Sequence, residues 1–358
     1  MEEFLNSQKT VLGITDFLKT AQNYTKNTFP DLDLSDVFSS AITGSISTNF
    51  WTTSVLDLAG QEVKLAIQLM ITVLIVVIIH SILKAICENL GNQSTSKIIY
   101  FIQYLVIVTL VTNSIVSVID ITRDSIQQIV NFMNLLIPLL STLMLTTGSI
   151  TTIGIIQPII IFMISFIGNF ISNFIIPMLL ISITLSIISN ISDQIQIDRL
   201  SKFLKSSIVW ILGIVLTIFV CSLSIEGTLS SSVDGMTAKT AKAAVSNFIP
   251  IVGKILGDSV DSIIGCANIL KNAVGILGVI IIGAIVILPV LKLSILWISF
   301  YILSGICEVV ADTKIVKLIS QISDSYKILL AILFSVSAMF IVGITIVLKI
   351  TNSSLMYR

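Results

Sequence analysis

Charge is scarce in this chain. Of its 358 residues only 11% are Asp, Glu, Lys or Arg, against about 25% in a soluble domain. Hydrophobic residues make up 55%. More than half of a folded surface is already apolar in ordinary proteins, so a water-soluble chain of this size has nowhere to put the surplus. A soluble enzyme, a secreted disulfide scaffold and a disordered chain are excluded. Twenty basic residues balance twenty acidic ones. Without a basic excess there is no electrostatic footing for nucleic acid, and no nucleic-acid partner is expected.

Histidine is nearly absent. His80 is the only one, which excludes HExxH sites and any centre that needs two imidazoles. It stands near the end of an apolar run, just before Lys84. That is an interfacial polar position, with proton sensing as the alternative. The four cysteines (Cys87, Cys221, Cys266 and Cys307) form no CxxC pair, so they read as small packing residues. The phosphate loop GxxxxGK[ST] and the nucleophile motif GxSxG are both missing. Asp258 and Asp261 lie three apart in one segment, which does not place two acids on separate helices as intramembrane aspartyl proteolysis needs. No catalytic residue, cofactor or metal is expected, and the chain reads as a non-enzyme.

What the sequence has instead is length of apolar run. Such runs cover 65–83, 98–119, 129–147, 150–189, 206–225, 273–306 and 328–350. A membrane helix needs about 20 mainly apolar residues. The pattern predicts an all-α polytopic membrane helix bundle of seven to nine spans. Nine follow if 150–189 reverses near Asn169 and Asn173 and if 273–306 breaks at Pro289 and Lys292. Pro138, Pro158, Pro177 and Pro289 are candidate helix breaks, because proline leaves carbonyls unpaired within a membrane helix. Asn113, Asn131, Asn134 and Asn169 are expected to bond across helices.

Four regions follow. Residues 1–63 hold three lysines and eight acids, a balance of −5, and read as an aqueous, partly helical N-terminal segment. Their first ten residues lack the basic start and apolar core of a signal peptide. Residues 64–225 form a first group of membrane helices and 273–358 a second. Between them, 226–272 is an outer loop, Ser-rich over 226–235, that carries an amphipathic or re-entrant helix over 236–272. In a nine-span arrangement Lys84 with Lys97, then Arg199, Lys202 and Lys205, then Lys349 with Arg358 share one side. By the positive-inside rule that side is the cytoplasm. The N-terminus is then outside and the C-terminus cytoplasmic.

The segment 249–272 differs from lipid-facing helix. Ile249, Val252, Leu256, Val260, Ile263, Ala267 and Leu270 recur every three or four residues and form one helical face. The opposite stripe is Lys254, Asp258, Asp261, Gly265, Asn268 and Asn272. Three readings fit. The helix lies on the membrane surface, or its stripe faces water inside a bundle, or it docks a partner. Gly253 and Gly257 permit close helix contact.

This stretch resembles the stage III sporulation protein AE family of endospore-forming bacteria. The resemblance is carried by Asp234-Gly235, Thr240-Ala241-Lys242, Asn247-Phe248-Ile249-Pro250-Ile251-Val252-Gly253, Asp258, Asp261 and Leu270-Lys271-Asn272-Ala273-Val274-Gly275. It implies a place in the mother-cell membrane around the engulfed forespore. There the family's protein belongs to a secretion-like channel complex needed for late forespore development. It also implies partners: a motor-type ATPase, ring-forming proteins and, indirectly, stage II sporulation protein Q. The expected function is a non-enzymatic membrane core or assembly platform, working as an oligomer or hetero-complex. The alternative is a stand-alone secondary transporter for a small solute. The scarcity of charge in the spans, with Lys292 the nearest candidate, argues against an ion-coupled carrier.

Overall fold

A computed structural model describes residues 12–26, 28–44, 49–89, 93–147, 149–191, 197–248 and 252–356. Every regular element among them is helical. Two short helices come first, α1 (Ile14–Thr25) and α2 (Leu34–Thr43). Long helices follow: α3 (Asn49–Asn89), α4 (Gln93–Thr146), α5 (Ile150–Phe170), α6 (Ile176–Ile191), α7 (Asp198–Phe248), α8 (Val252–Glu308) and α9 (Thr313–Met356). A π-helical turn, Ile171–Ile175, joins α5 to α6 without reversing the chain.

Among the described residues six helical rods are long and apolar enough to cross a bilayer, where the sequence predicts seven to nine spans. The difference has three local causes. The runs 98–119 and 129–147, read as two spans, lie on one continuous helix, α4. Asn169 and Asn173 do not make a hairpin. Pro177 lacks the N–H that would bond the carbonyl of Asn173, and the helix absorbs the defect by widening over one turn. Likewise α8 runs on past Pro289 and Lys292 as one helix of 57 residues. Pro138 and Pro158 also sit inside helices that continue beyond them. The Ser-rich stretch 226–235, expected as a loop, extends α7, since adding turns to an existing helix is far easier than nucleating one.

Short connections make consecutive rods antiparallel. His80 of α3 reaches Asp312, which lies between α8 and α9, and Tyr100 of α4 reaches Asn190 at the end of α6. The end of α3, the start of α4, the end of α6, the start of α7 and the α8–α9 turn therefore gather at one end of the bundle. An even number of passes returns the starts of α3 and α8 and the end of α9 to the other end. Six passes put the two termini on one side, whereas nine put them on opposite sides.

α9 occupies the middle. It packs against α4, α5, α6, α7 and α8. Its Ile315, Leu318, Leu329, Leu333, Val336, Phe340 and Ile344 are fully buried, and among its described large apolar residues only Phe334 is strongly exposed. Aromatic contacts tie it to its neighbours, with Phe340 edge-on to Phe219 at 6.3 Å and Tyr326 against Phe300 at 5.3 Å. Close helix approach relies on glycine: a methyl group at Gly168 of α5 would lie 2.6 Å from Val130 Cγ2 of α4.

The N-terminal segment does not stand apart from these rods. α1 and α2 bury Ile14, Phe17, Leu34 and Phe38, and both pack on α8. Tyr24 meets Phe132 of α4 edge-on at 5.6 Å, and Phe17 lies 6.2 Å from the same ring. Local chemistry sets the two helix boundaries. Asp33 accepts from the Ser35 N–H at 2.8 Å to cap α2. Gly44, at φ 75°, ends it in the left-handed conformation that favours glycine.

Candidate functional site

The end of the bundle that holds the α8–α9 turn carries a connected polar network. His80 sits on α3 with 1% of its surface exposed. Its Nε2 lies 3.0 Å from Asp312 Oδ2, and its Nδ1 faces Gln103 Oε1 of α4. Lys84, one turn further along α3, donates to the other Asp312 oxygen. The i,i+4 spacing puts both side chains on one helical face, and one carboxylate in the α8–α9 turn meets them both. Burial alone would raise the Asp312 carboxyl. The hydrogen bonds from Lys84 and His80 outweigh that effect and hold it below the usual carboxylate range.

Tyr100 extends the network. Its ring meets His80 edge-on at 5.8 Å and stacks on Tyr104 at 5.8 Å. Lys314 Nζ lies 5.9 Å from the ring centre, within cation–π range. The Tyr100 hydroxyl donates to the Asn190 carbonyl at 3.0 Å, and Tyr104 donates to the Ile187 carbonyl at 2.6 Å. Asn190, itself buried, donates through Nδ2 to Gln321 Oε1 at 2.6 Å. Gln321 in turn donates to Asp198 at 2.6 Å. Lys202 and Lys317 flank the other Asp198 oxygen at 3.1 and 3.2 Å. Buried Lys205 donates to the Gln321 carbonyl at 2.7 Å. Ser201 of α7 closes the group, bonded to both Ser182 and Ser186 of α6.

This arrangement staples α3, α4, α6, α7 and the α8–α9 turn together. Among the described residues no group of three or more His, Cys, Asp or Glu side chains could hold a metal. Nothing in the linear order of residues points to these partners. The usable hint was the His80/Lys84 pair on one face, which calls for an acceptor but does not say which.

The predicted stripe on α8 is only partly within view. Lys254, Asp258 and Asp261 fall outside the residues whose side chains are described. Further along, Asn268 and Asn272 are half-buried, while Ala267 and Leu270 of the apolar face are buried. Lys271, beside them, is fully enclosed. The Asn268 Oδ1 atom is shut away from solvent with no hydrogen-bond donor among the described residues. Of the four candidate breaks, Pro138 and Pro158 are exposed, Pro177 is half-buried and Pro289 is buried. Asn113, Asn131, Asn134 and Asn169, expected to bond across helices, are all exposed instead.

Comparison with known proteins places this architecture. The stage III sporulation protein AE family matches residues 32–351. The chain belongs to that family. Stage III sporulation protein AE of Bacillus subtilis (strain 168) is 31% identical over 315 residues, which is 88% of this chain and 79% of the relative. No solved structure matches. The matched region takes in α2 to α8, all but the last five residues of α9 and the whole polar network, and it leaves out α1.

Proposed function

We propose that this chain is a non-enzymatic membrane core of the sporulation channel complex that links mother cell and forespore, and that it acts as an assembly platform. The observation that carries the reading is the filled axis of the bundle. α9 plugs the middle with fully buried apolar side chains, so the single chain is built as a solid pillar. Its outer surface, by contrast, is rich in exposed large apolar residues on α3, α4, α7 and α8, among them Ile75, Ile102, Trp210 and Tyr301. Such a surface fits lipid and neighbouring membrane subunits. Family membership supports a place in the mother-cell membrane around the forespore. It also supports partnership with the complex's motor ATPase, its ring proteins and, indirectly, stage II sporulation protein Q.

Charge supports an orientation. Lys84, Lys202, Lys205, Lys314 and Lys317 take part in the polar network at one end, and Lys97 and Arg199 lie near it in sequence. Short loops rich in lysine and arginine stay in the cytoplasm. Both termini are then outside, with the acidic N-terminal segment.

Affinity capture of the tagged chain from sporulating cells tests the reading. Co-purification of the ring and ATPase components is the expected result. Capture of the chain alone, together with solute uptake by the purified protein in liposomes, would replace the platform with the stand-alone transporter.

A further inference from the structure

The outward face of α4 is polar along its middle. Asn113, Ser117, Asp120, Asp124, Gln127, Asn131 and Asn134 are all exposed. Their spacings are 4, 3, 4, 3, 4 and 3, the period of a coiled-coil seam. From Asn113 to Asn134 the stripe is about 32 Å long at 1.5 Å per residue, close to the ~30 Å hydrocarbon thickness of a bilayer. Arg123, also exposed, adds a cation beside the two acids. No ion pair among the described residues involves Asp120, Arg123 or Asp124. Gln127 and Asn131 bond only to each other, at 2.9 Å.

The neighbouring helix at the same depth is the opposite in character. Gly168 of α5 backs directly on Val130 of α4, so the two faces are level. There Phe162, Phe166, Phe170 and Phe174 stack in a ladder with centroids 6.1, 5.7 and 5.1 Å apart. Phe162, Phe166 and Phe174 are 64%, 48% and 50% exposed. One side of the bundle suits lipid, and the other carries charges and amides that lipid cannot satisfy.

We propose that copies of this chain associate around α4 and that the stripe lines a water-filled passage between them at membrane depth. The occupant of the α4 face is a second copy because the stripe is self-complementary. Acid, base and acid within one turn allow Arg123 of one copy to meet Asp120 or Asp124 of the next where the copies touch, while the amides along the rest of the stripe face the water of the passage. The passage lies between copies because α9 fills the axis within each. The proposal deepens the membrane-core reading but does not depend on which partners the complex contains.

The test uses the full chain in lipid nanodiscs, with the four native cysteines replaced. Single cysteines are placed at Gln127, Asn131 and Phe166. With a membrane-impermeant thiol reagent the first two should react roughly ten-fold or more faster than the third, since the thiolate forms in water and not in lipid. Oxidation should link Gln127→Cys or Asn131→Cys copies into dimers. A bimane probe at 166 should be quenched by brominated lipid, and one at 131 should not. Quenching at 131, or no reaction at 127 and 131, would overturn the proposal. So would an unquenched probe at 166, because the stripe would then lie beyond the bilayer. A second measurement needs no cysteine replacement. Native mass spectrometry of the unmodified chain should show dimers or larger species, and Asp120→Lys with Asp124→Lys should release monomer. Monomer from the unmodified chain would also overturn it. Loss of complex partners in affinity capture, with these results intact, would count against the platform and not against the passage.

Discussion

His80 Nε2 and Asp312 Oδ2 lie 3.0 Å apart although 232 residues separate them in sequence. The contact fixes the α8–α9 turn against α3 and sets the depth of both. With His80 1% exposed, its ring is satisfied by protein partners, Asp312 and Gln103.

Asp312→Ala should therefore destabilise the bundle. A buried polar group left without its partner costs about 1–3 kcal/mol, and Lys84 loses one of its contacts as well. Thermal unfolding of the purified variant in detergent checks this. A midpoint equal to that of the unmodified chain would mean the contact contributes nothing.

The same pair has a defined pH dependence. The Asp312 carboxyl is held below its usual range in the fold, so its contribution is complete above the unfolded carboxylate value of about 3.9. It is lost as pH falls through the lower folded value. The stability gap between the unmodified chain and Asp312→Asn should be constant from neutral pH down to about 5 and shrink below about 4. A gap that closes near neutral pH would assign the effect to another group.

Gly168→Ala should loosen α4 from α5. The added methyl meets Val130 Cγ2 at 2.6 Å, and valine is stiff about χ1, so it cannot swing aside. Overpacking of this kind costs about 1–3 kcal/mol, against about 1 kcal/mol gained in helix propensity. The net change should be a lower unfolding midpoint. Gly213→Ala, where an added methyl finds open space, is the control and should show no loss.

The two ends of the bundle should face opposite compartments, with both termini on the same side. Cysteines placed at Thr313 and at Ser39, both exposed, should react with an impermeant thiol reagent from different sides in oriented vesicles. Labelling of both from one side would disprove the six-pass arrangement.

Much of the fold could be read before any coordinates. Runs of twenty or more apolar residues with almost no charge leave helix as the main option at membrane depth, and the periodicity through Ala267 and Leu270 matches their burial. The number of passes was harder. Proline and asparagine inside an apolar run can signal a hairpin, a kink or a π turn, and packing against α9 and α4 decides among them. The polar network was hidden because its partners lie as far apart as His80 and Asp312, or Asn190 and Gln321. The α4 stripe was half visible. Asn113, Asn131 and Asn134 stood out as polar residues in apolar runs, but burial in sequence terms is symmetric around a helix. Only neighbours on the opposite face show that these side chains point away from the bundle.

The length of α8 bears on how the chain enters a membrane. At 57 residues it extends about 86 Å at 1.5 Å per residue, nearly three bilayer cores of ~30 Å. An insertion machinery that samples about 20 residues at a time meets more than one acceptable window inside this single rod. Nothing in α8 itself says where to stop. Its buried face, through Leu270, Leu277, Ile281 and Leu303, packs on α3 and α4, made earlier, and most extensively on α9, made later. The final depth of α8 is thus completed only after its own synthesis, when the last helix arrives.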